Sequence, residues 1–298
     1  MPPRIGAGGE AGAGSGPVRE APRVGPVDTR DLLEIAARLL PTADVEGARV
    51  DRSGATHDVV LLPGTAVVRV ARSERAAAQL PRRTELLRRL GQRHPALGAP
   101  AVLTDVVDGA VALGWVDGAP STRAPVPAVA ALLRELATVD LDPLADVLGE
   151  PHEYAGRGEW AALLDQHVVE RLPPSWRSEA RRRIDAALAL PPVEPVLVHG
   201  DLAGPNLLWR DGRLAGVVDW DLAQPFDPAV DAACLASFGW HVVRAVVDPA
   251  TYARARTWQA TFGLELPLSA VLDGRPAAEV DALIGRTQQW LSATAGRY

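Results

Sequence analysis

The chain has 298 residues, 47% of them hydrophobic and 23% charged, which is enough for one two-lobed unit or two small domains. Its net charge of −6 falls as +1 over residues 1–120 and −7 over residues 121–298, without the basic face a nucleic-acid binder requires. No apolar run reaches the roughly 18 residues of a membrane span, and the single cysteine, Cys234, excludes an internal disulfide, so a reducing cytoplasm is the expected location.

Residues 1–27 are rich in Gly, Pro and Ala and have no central apolar stretch, so they read as a disordered arm and not as a signal peptide. Apolar spacing of three and four predicts a helix over 28–40, capped by Asp28 or Thr29 and followed by Pro41. Strands follow at 48–53 and 57–62 around a short turn, then a Val-rich strand at 65–71. A helix is predicted over 74–90, interrupted or restarted near Pro81. Residues 101–106 and 110–116 pair as strands across an Asp108-Gly109 hairpin turn. The Pro-rich stretch after Gly118 is a natural connector, so 28–116 forms a sheet-bearing lobe and 117–298 a hinge and a helical lobe. Helical patterns cover 127–139, 159–171, 175–190 and most of 228–297. The last two are separated by a short strand ending at His199-Gly200-Asp201 and a hairpin turning at Asp211-Gly212. The fold class is α+β, with a small antiparallel N-lobe and a larger helical C-lobe.

All 31 basic residues are arginine, and the chain contains one asparagine, Asn206. Asn206 lies in VLVHGDLAGPNLLWRDGRLAGVVDWD, where a strand ends at Asp201, Asn206 follows five residues later, and a hairpin delivers Asp219. Two carboxylates and a carboxamide thus converge at neighbouring strand ends. Transfer of a phosphoryl group to an alcohol needs such a set. One carboxylate orients the hydroxyl and takes its proton, and oxygen ligands hold Mg²⁺ beside the substrate phosphates.

The pattern H-G-D-L-x-x-x-N followed by V-V-D-W-D resembles the signature of the aminoglycoside phosphotransferases and their relatives in the protein-kinase-like two-lobed fold. The stretch AVVRVARSERAAAQLPRRTELLRRL adds a likeness to the viomycin and capreomycin phosphotransferase branch. The resemblance implies that Asp201 is the catalytic base and that Asn206 and Asp219 are Mg²⁺ ligands. It implies Asp221 as an outer contact, His199 as a brace of the loop, and Asp231 as its anchor through backbone bonds. It further implies ATP or GTP as donor, Gly54 in a loop over the phosphates, and Leu113, Gly114, Trp115 and Val116 as the hinge beside the base, with backbone groups of Gly114 and Val116 bonding its edge. The family carries a lysine on its third strand and a glutamate on the next helix. Here Arg69 takes the lysine position, sharing a face with Val67 and Ala71. Helical spacing back from Leu87 and Leu90 lands on Arg83 where the acid belongs, while Glu74 and Glu85 lie off that register, so the pair is absent or rebuilt.

The acceptor is expected to be a small cationic molecule such as an aminoglycoside or cyclic-peptide antibiotic, with no nucleic acid or membrane as partner. The acidic stretch 140–165 (Asp140, Asp142, Asp146, Glu150, Glu153, Glu159, Asp165) is expected to face it. Three other readings stay open. The chain fits a metabolite kinase of the same fold, acting on choline, homoserine, a sugar or a fructosamine. The missing lysine and glutamate fit a nucleotide-binding pseudokinase. A metal-dependent hydrolase is weaker, because the other histidines show no ligand spacing.

Overall fold

The computed structural model describes residues 27–54 and 56–296; the N-terminal arm expected over 1–27 lies, apart from Val27, outside them. Helix α1 (Thr29–Leu39) comes first among the described residues, its N-terminus capped by Asp28, whose carboxylate accepts the Arg30 N–H. Strands β1 (Arg49–Asp51), β2 (His57–Leu62), β3 (Ala66–Ala71) and β4 (Ala110–Gly114) form one antiparallel sheet in chain order. Helix α2 (Glu74–Arg93) crosses between β3 and β4.

The sheet's alternation sorts its two faces. Ala66, Val68 and Val70 of β3 join Val60, Leu62, Ala110 and Ala112 in a cluster closed by Leu32 and Ala36 of α1. Residues 67, 69 and 71 point the other way, toward α2 and the cleft. Helix α2 is continuous where an interruption at Pro81 was expected. Pro81 is exposed, and the burial of Leu80, Leu86, Leu87 and Leu90 outweighs the local penalty of about 3 kcal/mol. The strand expected at 101–106 is reduced to isolated bridges, Val102 with Leu113 and Val107 with Ala110. The turn between them is as expected, with Asp108 and Gly109 both at positive φ (49° and 73°), the conformation a two-residue hairpin demands.

After β5 (Ala119–Pro120) the chain turns helical: α3 (Val126–Ala137), α4 (Trp160–His167) and α5 (Pro174–Leu188). Then come β6 (Val196–Val198), the hairpin β7 (Leu207–Arg210) and β8 (Arg213–Val217), and β9 (Gln224–Phe226). Strand β7 pairs with β5 and β8, and β6 with β9, so the catalytic-type motif sits among short strand ends. Helices α6 (Ala229–Cys234), α7 (Trp240–Val246), α8 (Pro249–Gln259), α9 (Phe262–Leu272) and α10 (Ala277–Thr294) complete the chain. A single large core joins α2 to these helices and to the hairpin. Arg183, 1% exposed, fastens α5 to α10: it donates to Glu179 (2.9 Å) and Thr294 (3.0 Å) and lies over the Trp290 ring at 4.7 Å. No helix of the described residues is long and apolar enough to cross a membrane.

His152 shows what this core demands of a titratable group. It stacks on Trp160 (4.5 Å between centroids) and meets Phe226 and Trp258 at 5.2 and 5.7 Å. Burial lowers its pKa to about 4. The unfolded chain therefore takes up a proton below about pH 6.5 that the folded chain refuses, and stability falls with pH across that window. The loss reaches about 3 kcal/mol near pH 4. His152→Asn, which tolerates the left-handed backbone at this position (φ 56°), removes that term. The difference in thermal midpoint between wild type and variant should shrink as pH falls from 6.5 to 4; a constant difference would show that His152 is not held neutral.

Candidate active site

The loop after β6 is held from beneath by buried groups. The backbone N–H groups of His199 and Gly200 donate to the two oxygens of Asp231 at 2.7 and 2.9 Å, and Asp231 is 1% exposed. Burial pushes that carboxyl up to about 7, against the two hydrogen bonds that favour its charge. The Asp201 N–H donates to His199 Nδ1 (3.2 Å), so Nε2 carries the ring proton and donates to the Val218 carbonyl (2.9 Å). His199 is fully buried against Trp220, and burial lowers its pKa to about 4, which keeps it neutral. Gly200 has no substitute: its φ is 84°, and a Cβ there would lie 2.5 Å from the Leu222 carbonyl.

Asp201, Asn206 and Asp219 come together on this frame. The Asn206 amide donates to both the backbone carbonyl (2.8 Å) and the carboxylate (2.9 Å) of Asp201, which leaves its own oxygen as an acceptor. The Val218 N–H donates to the Asn206 carbonyl at 2.9 Å, tying Asp219 beside it. Asp219 adopts a left-handed backbone (φ 62°, ψ 60°), a conformation concentrated at functional sites. Its carboxyl is raised by desolvation in the cleft and by the Asp221 charge, although the side chain remains 52% exposed and solvent moderates both effects.

Asp221 is the meeting point of the charges. Arg69 of β3 donates to both its oxygens (2.8 and 2.6 Å), and Arg83 of α2 donates to one of them (2.9 Å). Arg69 also donates to His57 Nδ1 (2.9 Å) and reaches Asp219 at 3.4 Å. Burial alone would raise Asp221, but the two guanidinium groups overcome it and hold the carboxyl well below the usual range. His57 is driven down to about 3 by burial and then by Arg69, so it stays neutral and accepts. Burial also lowers Arg83, more than Asp221 restores, yet the group remains a cation. Arg72 serves elsewhere: it pairs with buried Asp58 (2.8 Å) and bonds the carbonyls of Gly54 and Arg52, stitching down the loop that precedes β2.

Gly54, Arg83, Asp201, Asp219 and Asp221 line one cavity of about 470 Å³. Leu113, Gly114, Trp115 and Val116 do not. Leu113 is core, and the Gly114 N–H is already committed to the Ala101 carbonyl (2.7 Å), so that donor does not face a base as expected. Of the acidic stretch 140–165, Glu150 and Glu153 line the cavity, whereas Asp146 pairs with Arg89 and Asp165 with Arg181 on the outer surface. Asp140, Asp142 and Glu159 are exposed and outside its wall. Two acids the motif did not reveal, Glu265 and Asp273, complete the wall from α9 and its end. Glu265 accepts from Tyr154 and from Thr261 (3.1 Å), and burial pushes it up. A lone carboxylate within the apolar helix FGLELPLSAVL was the available signal.

Removal of the Asp231 carboxylate isolates two buried N–H donors at about 1–3 kcal/mol each. Asp231→Ala should therefore lower the unfolding free energy in urea by about 2–6 kcal/mol. Asp231→Asn, which keeps one acceptor oxygen, should lose less; a loss below about 1 kcal/mol for alanine would mean the loop is held elsewhere.

The comparisons with known proteins agree with one another. The profile of the phosphotransferase enzyme family matches residues 47–267. Viomycin phosphotransferase of Streptomyces vinaceus is 34% identical over 286 residues, covering 86% of this chain and 97% of the relative. Among solved structures, the GDP and kanamycin complex of an APH(2'') aminoglycoside phosphotransferase superposes with a TM-score of 0.72 at 18% identity, covering 90% of this chain and 99% of the other. The macrolide 2'-phosphotransferase MphH of Brachybacterium faecium gives 0.64 at 22% identity, covering 86% and 97%. At these identities the structures speak for the kinase-like α+β fold alone. The family match across most of the chain, together with the viomycin phosphotransferase relationship, shows that this chain belongs to the phosphotransferase enzyme family.

Proposed function

We propose that the chain transfers the terminal phosphate of a Mg²⁺-bound nucleoside triphosphate, ATP or GTP, to a hydroxyl of a small cationic molecule of the aminoglycoside or cyclic-peptide antibiotic type. The observation that carries this reading is the Asp201 carboxylate, oriented by Asn206 and opening on a cavity shared with Asp219 and Arg83. Asp201 orients the acceptor hydroxyl and takes its proton. Asn206 and Asp219 offer one amide oxygen and one exposed carboxylate. That donor set suits Mg²⁺, which takes one or two carboxylates and completes its shell with phosphate and water oxygens. Among the described residues no group of three or more His, Cys, Asp and Glu is placed to hold a metal unaided. The ion would neutralise charge on the transferring phosphoryl group. Arg69 steadies the phosphates in place of the family's lysine, with Gly54 in the loop above. Of the hinge segment Leu113–Val116, the half-buried Trp115 and Val116 would flank the base. In this reading residues 28–116 are the nucleotide lobe and 117–298 the hinge and catalytic lobe.

Glu150, Glu153, Glu265 and Asp273 lie on the acceptor side of the cavity, where a cationic ligand would compete for them with Arg157, Arg82 and Arg75, the present partners of Glu150, Glu153 and Asp273. The relationship to viomycin phosphotransferase supports a cyclic-peptide acceptor, and the ATP, GDP and ADP complexes of the structural neighbours support a purine nucleotide.

Purified protein with Mg²⁺ and γ-labelled ATP or GTP should label a cationic antibiotic from a panel that includes viomycin, capreomycin and kanamycin, alongside choline, homoserine and neutral sugars. Asp201→Ala should lower kcat by about 10²–10⁴-fold and leave nucleotide affinity unchanged; near-normal turnover refutes the base. The acceptor KM should rise with added salt, as screening shortens from ~10 Å at 0.1 M to ~3 Å at 1 M. A neutral or anionic best acceptor, or a salt-independent KM, would turn the reading toward a metabolite kinase.

A further inference from the structure

Two cations meet in the cleft where the family has one cation and one anion. Arg69 is largely committed: it donates to both oxygens of Asp221 and to the His57 ring, and it reaches Asp219 at 3.4 Å. Arg83 is not. Its side chain is 10% exposed and lines the cavity that holds Asp201 and Asp219. Its Nη1 donates to Asp221, while its Nε is buried without a hydrogen-bond partner among the described residues. A guanidinium carries five N–H donors in a planar fork suited to phosphate oxygens. The charges make the same point. Asp221 is shared by both guanidinium groups, and Asp219 reaches Arg69 but is not paired with Arg83, so Arg83 has only part of one carboxylate as its ion-pair partner.

We propose that Arg83 is a second phosphate-binding cation of this cleft, and that Asp221 is the positioning residue that holds Arg69 and Arg83 as one array. The proposal rests on the phosphotransfer reading above. It assigns to helix α2, where the family places an acid, a direct contact with the triphosphate. The lost lysine–glutamate pair is thereby replaced by two arginines braced from the opposite side of the cleft. A purely bracing Arg83 would matter for stability and for every ligand of the cleft alike. A phosphate-binding Arg83 matters for phosphates alone.

Isothermal titration separates the two. Wild type, Arg83→Gln, Arg83→Lys and Asp201→Ala are titrated, with Mg²⁺ and without acceptor, against ATP, GTP, adenosine and guanosine. Arg83→Gln should weaken the preferred triphosphate about 10- to 100-fold, the scale of one or two hydrogen bonds to a charged group. Its nucleoside affinity should stay within about twofold of wild type, and Arg83→Lys should recover part of the loss. Where Arg83→Gln does not fold, Arg83→Lys decides: it should weaken the triphosphate severalfold and leave the nucleoside unchanged. Equal loss of triphosphate and nucleoside, or no loss of triphosphate, overturns the assignment. Asp201→Ala should bind the triphosphate like wild type. A wild-type protein that binds no triphosphate more tightly than its nucleoside would overturn the phosphotransfer reading, and this proposal with it.

Discussion

One carboxylate sets the geometry of the cleft. Asp221 receives guanidinium groups from elements 152 and 138 residues earlier in the chain, one on the sheet and one on the crossing helix. A buried charge with one partner missing is expensive by several kcal/mol, so each of the three side chains is held in place by the others. That requirement ties β3, α2 and the turn after β8 to one another, and Asp219, two residues from Asp221, is placed with them. Arginine suits this role where lysine would not, because a planar fork can bridge both carboxylate oxygens and still donate to His57.

The opposite side of the cleft is held by hydrogen bonds among buried groups instead of ion pairs. Asp231 takes the two N–H groups that the turn at Gly200 leaves behind, and His199, neutral in its fixed tautomer, spans from the Asp201 backbone to Val218. Asp201 is therefore presented by a loop whose own polar groups are paired, which holds it within the cleft beside Asp219. The left-handed backbone at Asp219 stores strain that these same contacts sustain.

What could be read in the sequence follows from the range of the forces involved. Turns are local, so Asp108-Gly109 and Asp211-Gly212 announced themselves, and both pairs adopt positive φ. The period-two face of β3 placed Arg69 toward the cleft, and helical spacing placed Arg83 beside it. Neither pattern reveals a common partner, because Asp221 lies on another element, and the sequence therefore left open whether the family's ion pair was lost or rebuilt. Local penalty misled at Pro81, where burial of the leucines around it decides the outcome. The acceptor side was legible least. Its acids come from the segment around Glu150 and from α9, over a hundred residues apart, and only packing puts Glu153, Glu265 and Asp273 on one wall. The acidic stretch 140–165 was a composition signal, and most of it lies outside the cavity, some of it in surface pairs such as Asp146–Arg89.

The dependence of the cleft on Asp221 is most directly measured by a double-mutant cycle in urea, comparing wild type, Arg69→Gln, Asp221→Asn and the double variant without ligand. The account predicts that each single change is severe, because it strands buried charge. The double change should cost at least about 2 kcal/mol less than the sum of the two. Additivity within about 0.5 kcal/mol would show that Arg69 and Asp221 are independent, and would contradict the claim that this carboxylate joins the two sides of the cleft.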